Sequence, residues 1–298
     1  MPTLGVVIVT RNRKEEVLDL VSTLAAMARE GGDEIVVVDN GSTDRTVALL
    51  QERHPALKIL PMGVNRGAPA ARNAAAAASL ADVLIFLDDD VGIEDPGFFG
   101  KVRRIFAVES PPAVAAFRIL DPATRRARSF EIPRRRKDLE LEACETSYFI
   151  SAGCAIRREI YAAVGGMDES LVYGFEELDF SYRAVSRGFR IFYHPEICVL
   201  HRMSDEGRPA WRRLYYFFRN KIWISARYLP WPMFFSHLVV WSGYFLRETL
   251  RIGRPDIYVR ALAAGIAGLP RRLRARKTDR IPPEALERLR RIEGRLYY

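Results

Sequence analysis

Cysteine is scarce in this chain: Cys144, Cys154 and Cys198 are the only three in 298 residues. They are odd in number, far apart and never in a Cys-x-x-Cys pair, which argues against a disulfide framework and gives no zinc-site spacing; a reducing compartment fits best. Long hydrophobic runs are missing too. The longest apolar stretch, Trp231 to Leu246, is broken by Pro232, Ser236, His237 and Ser242 and falls short of the roughly 20 residues that a membrane span needs. The opening MPTLGVVIVTRNR places its apolar residues before its arginines, so it reads as a buried strand and not as a leader peptide. No internal repeat is present, and where a glycine-rich phosphate loop would follow the first strand the chain has Thr10-Arg11-Asn12-Arg13.

Acidic residues are outnumbered, 37 Asp and Glu against 46 Lys and Arg, for a net charge of +9. A basic face suits phosphate-rich ligands, nucleic acid or anionic lipid, and charge alone does not choose among them. The length allows one large α/β domain with an appendage, and the 49% hydrophobic content is ordinary for a globular core.

Up to about residue 90, short β-branched runs alternate with helix-period segments, the pattern of βαβ units and a mostly parallel sheet. Four buried strands are expected at Leu4 to Thr10, Glu34 to Asp39, Leu57 to Met62 and Val83 to Leu87. The first helix carries Val17, Leu20, Val21, Leu24 and Met27 on one face and should stop at Gly31-Gly32. A nearly all-alanine helix, Gly67 to Leu80, can lie close against the sheet. Pro111-Pro112, Asp121-Pro122 and the basic run Arg134 to Lys137 mark loops and a mobile excursion. Helices follow near Arg157 to Val164 and Phe175 to Arg187, then two strand-like pieces, Arg190 to Tyr193 and Cys198 to His201. Near residue 206 the composition shifts to Trp, Tyr, Phe and Arg. A domain boundary is placed there, giving an α/β unit at 1–205 and a helical region at 206–298.

In open α/β sheets ligands bind beyond the carboxyl ends of the strands. Polar residues gather there: Thr10 to Arg13 after the first strand, Asp39 to Asp44 after the second, Asn65-Arg66-Gly67 after the third and Asp88-Asp89-Asp90 after the fourth. Each piece alone is ordinary turn and cap chemistry; all four at one edge are not. The three carboxylates delivered by Phe86-Leu87 repel one another, and a divalent cation is the usual way to keep them ionised. Magnesium or manganese prefers oxygen and takes one or two carboxylates with substrate phosphates, which predicts a diphosphate partner.

The ordered set VVIVTRNR, VVVDNGSTD, NRGAPAARNAAA, FLDDDV, SAGCAIRRE, GGMDE, GFEELDFSYR and HPEICVLHRMS resembles family 2 glycosyltransferases of the GT-A fold, in the rhamnosyltransferase-like bacterial branch, from about residue 4 to 203. The resemblance implies an α/β, Rossmann-like GT-A sheet flanked by helices, and transfer of a sugar from a nucleoside-diphosphate donor to a saccharide or lipid-linked acceptor with inversion, in cell-surface polysaccharide or glycolipid synthesis. It implies that Asp88 and Asp90 end an Asp-x-Asp motif with Asp89 between them, Asp90 being the direct ligand of Mn2+ or Mg2+ and Asp88 lying nearer the ribose. It further implies that Thr10, Arg13 and Asp39 line the nucleobase pocket, that Asn65, Arg66 and Asn73 surround the nucleotide, and that Gly153 and Cys154 form a loop near the donor sugar. His201 matches a histidine that completes the metal site, with a purely structural strand-end histidine equally open. Glu177 is the implied catalytic base, one methylene longer than the aspartate usual in the family, and Glu176 is the second choice. Asp179 and Arg183, one helical turn apart, brace that helix.

Residues 211 to 231 mix arginine with large aromatics, and Arg271, Arg272, Arg274, Arg276 and Lys277 add a polybasic patch. Either an anionic membrane surface or packing onto the catalytic unit accounts for them. The expected location is cytoplasmic, peripheral on the inner face of the cell membrane. Two rival readings are a sugar-nucleotide nucleotidyltransferase, which the missing glycine-rich loop opposes, and a non-catalytic nucleic-acid or membrane binder. Carboxylates at the strand ends oppose contact with a phosphate backbone there, so no nucleic-acid partner is expected.

Overall fold

The computed structural model describes residues 1–28, 32–137, 140–203 and 209–292. Its centre is a nine-stranded sheet in the order β3-β2-β1-β4-β8-β6-β9-β5, with β7 paired to β9. The strands are β1 (Leu4–Thr10), β2 (Asp33–Asp39), β3 (Lys58–Pro61), β4 (Val83–Asp88), β5 (Val91–Gly92), β6 (Val114–Leu120), β7 (Cys144–Thr146), β8 (Gly153–Arg157) and β9 (Ile191–His201). The helices on the sheet are α1 (Lys14–Met27), α2 (Thr46–Arg53), α3 (Ala68–Ala78), α4 (Phe98–Phe106), α5 (Arg158–Val164) and α6 (Glu176–Ser186). Three long helices follow, α7 (Ala210–Tyr228), α8 (Trp231–Arg251) and α9 (Pro255–Asp279), and then a short one, α10 (Pro283–Arg291).

β3, β2, β1 and β4 run parallel, and β8 turns antiparallel to both β4 and β6. Alternation along the buried strands divides the core between the two faces of the sheet. Val7, Val36, Val38, Leu84 and Phe86 pack with α3, α5 and α6, while Val6, Ile8, Val37, Ile85 and Leu87 pack with α1 and α4. The alanines of α3 do bring it close to the sheet: Ala71 and Ala75 are wholly buried against the β1–β2 surface.

Several expectations need correction. β3 is an edge strand with two exposed and two half-buried residues, so the third of the four strands is not buried. α1 ends at Met27, and its cap Ala28 donates its N–H to Leu24 before the glycines are reached; Gly31 lies outside the described residues. The two strand-like pieces 190–193 and 198–201 are one strand, β9, which runs through Pro195. Proline is tolerated because the β6–β9 register shifts between Phe117 and Arg118, the bulge that spares a missing donor. Arg134 belongs to an irregular segment, but its side chain is buried and donates to the Glu142 carbonyl, so this part of the basic run is anchored.

Beyond β9, α7 packs along α9 and α8, with Phe218, Ile222, Phe245 and Ala261 forming a small core of their own. Polar contacts tie these helices to residues 168–179: Arg227 and Arg272 reach Asp168, while Arg227 and Tyr228 reach Asp179. Among the described residues, no helix is long and apolar enough to cross a membrane.

Candidate active site

The carboxyl ends of β1, β2 and β4 open onto a cavity of about 700 Å³. Its lining includes Thr10, Asn12, Arg13, Asn40, Asn65, Asp88 and Asp89 from the strand ends, and Tyr148, Phe149, Tyr173, Phe175, Phe217, Arg212 and Glu177 from later segments. The strand-end part is built from loops tied to one another. Asn40 donates to Asn65 Oδ1 (3.3 Å) and accepts from the Arg66 N–H (2.9 Å), while Asn12 accepts from the Thr43 N–H (2.7 Å). Gly67 caps α3 at φ +89°, and a Cβ there would meet the Val172 carbonyl at 2.5 Å, so only glycine lets α3 begin against this rim.

At the end of β4 the three aspartates diverge. Asp88 is held by Arg72 (2.8 Å), Asp89 by Arg13 (3.1 Å) and Asp90 by the same Arg13 (2.6 Å). Burial, with the charges of Asp90 and Asp88 nearby, pushes the Asp89 carboxyl up to about 6 despite Arg13. Burial also pushes Asp90 up, but hydrogen bonds and charge from His201 and Arg13 outweigh it and hold this carboxyl below the ordinary value. Arginine therefore does part of the neutralising expected of a metal. It also places Arg13 beside the carboxylates.

One cluster has the chemistry of a cation site. Asp88, Asp90 and His201 each offer a ligand atom, all within 4.8 Å of one another, and two carboxylates with an imidazole suit manganese or magnesium. His201 Nε2 lies 3.3 Å from Asp90 and 3.8 Å from Asp88. Its Nδ1 lies 3.0 Å from the buried Glu131, the outer carboxylate that typically orients a metal-ligating histidine. The donor set fits a divalent ion. Burial lowers the His201 pKa, but the hydrogen bonds to Asp90 and Glu131 prevail and raise it to about 9.

α6 supplies the acidic pair. Glu176 is buried and bound to Arg72 at 2.9 Å; burial and the neighbouring charge of Glu177 push its carboxyl up to about 7. Glu177 faces the cavity and accepts from the Ser151 N–H at 3.3 Å. Asp179 does bind Arg183 (2.6 Å), the expected brace, and it also takes Arg227 and the Tyr228 hydroxyl.

Other expected site residues are placed away from the cavity lining. Asp39 accepts from the Ser42 N–H and shapes the turn after β2; Arg66 is exposed and reaches Glu169 at 3.4 Å. Asn73 binds the Met167 backbone and the Tyr161 hydroxyl, locking α3 to the turn after α5. Gly153 and Cys154 are not a loop: they open β8, paired with Leu87 and Phe86, and are buried in the sheet. Cys154 is wholly buried, and burial raises its thiol well above its ordinary value, which disfavours the thiolate a nucleophile needs. Residues the sequence did not single out are Asn40, Arg72, Glu131, Arg212 and the aromatic wall. Asn40 fell within the polar run after β2 and Arg212 within the aromatic, arginine-rich stretch, and Arg72 stood out as a cation among alanines; Glu131 had no such signal.

The comparisons agree with this architecture. The sequence model of "Glycosyl transferase family 2" matches residues 5–165. The O-antigen chain rhamnosyltransferase RfbN of Salmonella typhimurium is 25% identical over 198 residues, 61% of this chain and 61% of that protein. The pre-mycofactocin glycosyltransferase of Mycobacterium tuberculosis is 29% identical over 214 residues, 66% of this chain and 42% of that one. The chain thus spans less than two-thirds of the length of either relative. Among solved structures, Staphylococcus aureus TarS in complex with UDP-GlcNAc superposes with TM-score 0.64 at 17% identity, covering 92% of this chain and 83% of its own. The mannosyltransferase PcManGT of Pyrobaculum calidifontis, in complex with GDP-Man and Mn2+, gives 0.60 at 18% identity, covering 89% and 75%. Identities this low speak for the fold, which is GT-A, while the match to the family model takes in more than half of the 298 residues; the chain belongs to glycosyl transferase family 2.

Proposed function

We propose that this glycosyltransferase moves a sugar from a nucleoside-diphosphate donor to a saccharide or lipid-linked acceptor in one metal-dependent, inverting displacement. The observation that carries the reading is the cavity itself, which Asp88, Asp89 and Glu177 all line. Thr10, Asn12, Asn40 and Asn65 form the nucleotide side, with Asp39 and Asn73 supporting it through the turns they hold. Asp88, Asp90 and His201 would hold Mn2+ or Mg2+, which when bound neutralises charge on the leaving diphosphate. Glu177 takes the proton of the acceptor hydroxyl as that oxygen attacks the anomeric carbon. Glu176 is committed to Arg72, and through it to Asp88, so its part is to fix these groups relative to one another. The apolar and arginine-rich surface of α7 to α9 supports an anionic membrane as the place where a lipid-linked acceptor is met.

Glu177→Gln keeps the shape and removes the basicity, so single-turnover transfer should fall by about 10² to 10⁴ while donor affinity stays. A thermal-shift panel of nucleoside diphosphates with and without manganese identifies the donor class first. Undiminished transfer by Glu177→Gln, or a product that retains the donor's anomeric configuration by NMR, overturns the mechanism.

A further inference from the structure

The acidic pair of α6 follows a turn that is held in an unfavourable shape. Val172 (φ +63°) and Phe175 (φ +69°) both occupy the left-handed region, which β-branched and bulky residues rarely enter, with Gly174 (φ +83°) between them. Such a turn persists only where its surroundings over-determine it. Here the surroundings come from α7. Asn220, wholly buried, donates its amide to the carbonyls of Leu171 (3.0 Å), Tyr173 (3.1 Å) and Gly174 (2.8 Å). Arg219 donates to the carbonyls of Ser170 (3.0 Å) and Leu171 (2.8 Å) and also to Asn220 Oδ1 (2.8 Å). That last bond settles which end of the Asn220 amide faces the turn. Phe217, one α-helical step earlier, closes on Gly174 so tightly that a Cβ there would sit 2.3 Å from its ring.

We propose that Arg219 and Asn220 are positioning residues: from the helix outside the sheet, they hold the 170–175 turn in its left-handed form and so set where Glu177 stands in the cavity. The pair donates to four backbone carbonyls of this turn, and the residue directly after it, Glu176, is already fixed to Arg72. A shift of the turn would therefore be felt at Glu177, whose side chain is held only by the Ser151 N–H among the described residues, as well as at Tyr173 and Phe175 of the cavity lining. The inference rests on the proposed role of Glu177 as base.

Asn220→Ala removes its three bonds to the turn and the acceptor of Arg219 as well; Arg219→Lys is the milder second variant, keeping the charge and losing the fork. Hydrogen exchange read by mass spectrometry should show amides of 171–178 exchanging faster in both variants, with strands β1, β2 and β4 unchanged. With the donor from the panel above, kcat should fall by up to about 10²-fold, the loss expected for a reacting group misplaced by about 1 Å, while UDP or GDP affinity and donor KM stay within about twofold. The split matters, because a general loss of structure would lower nucleotide affinity too. Unchanged exchange at 171–178 overturns the clamp, and faster exchange with unchanged kcat overturns its link to catalysis. If wild-type protein binds no nucleoside diphosphate, the functional reading fails, and the exchange experiment still decides the clamp.

Discussion

Arg72 shows how one side chain organises this site: buried on the alanine face of α3, it holds Asp88 at 2.8 Å and Glu176 at 2.9 Å. Loss of Arg72 itself would leave both carboxylates without their cation, an effect of several kcal/mol, on the order of 3 to 5. Arg13 does the same for Asp89 and Asp90, which makes Asp90 separable. Asp90→Asn keeps the volume at a buried position and leaves Arg13 its bond to Asp89. The protein should fold, but the increment that manganese adds to the thermal shift of a nucleoside diphosphate should vanish. Equal increments in variant and wild type would remove Asp90 from the metal site. The protonation of His201 gives the sign of a pH effect on the same equilibrium. Raised to about 9, it carries a proton at pH 7 that a metal must displace, so manganese affinity in the wild type should climb from pH 7 to 9.

At the scale of elements, the join between α9 and the turn after α5 has a measurable electrostatic signature. Burial pushes the Asp168 carboxyl up, but Arg272 and the hydrogen bonds from Ser170 and Arg272 prevail and hold it at about 2. A carboxylate depressed in the folded state stabilises above its ordinary value near 4, and the contribution is lost as pH falls towards 2. At neutral pH it amounts to about 2 kcal/mol. Asp168→Asn should therefore lower stability by that order at pH 7 in denaturant unfolding, and the gap to wild type should close as pH drops from about 4 to about 2. A gap that stays constant would assign the loss to packing. Elements with a strict period were legible from sequence: β1, β2 and β4 alternate between two cores, and α1 repeats Val17, Leu20, Val21 and Leu24. β9 was split because Pro195 reads as a break, and only its partner's bulge shows why it is not. Asn220 and its three carbonyls are 46 to 49 residues apart, and Glu131 is 70 residues from His201; pairings at that distance leave no periodic trace. For the same reason Asp88 and Glu177 could be nominated from sequence while the aromatic wall of the cavity could not.

Across the whole molecule, exposed apolar surface is unevenly distributed. On the catalytic half, Val64, Leu80, Val108 and Leu141 are scattered singly, which is normal for a protein surface. On α8, Phe235 (58% exposed), Val239 (73%), Leu246 and Leu250 (58%) share one face at helical spacing, with Val240 (64%) and Tyr244 exposed beside it, and nothing in the chain covers it among the described residues. Arg247, Arg251 and Arg254 follow at its carboxyl end, and Val259 and Ile266 of α9 add to the apolar area. A helix with an apolar face and flanking arginines lies in the plane of an anionic interface, its rings and branched side chains at the headgroup boundary. α7, which packs on both helices, contributes Arg212 and Phe217 to the cavity, so a bilayer at α8 would lie near the cavity. Substituting Phe235, Val239 and Val240 together with glutamate should abolish sedimentation with phosphatidylglycerol vesicles, leave the manganese-dependent nucleotide shift intact, and leave the wild type salt-sensitive in the same assay. Wild-type protein that ignores the vesicles but sediments as a dimer, which the glutamates dissolve, would make a second copy of the chain the partner of this face.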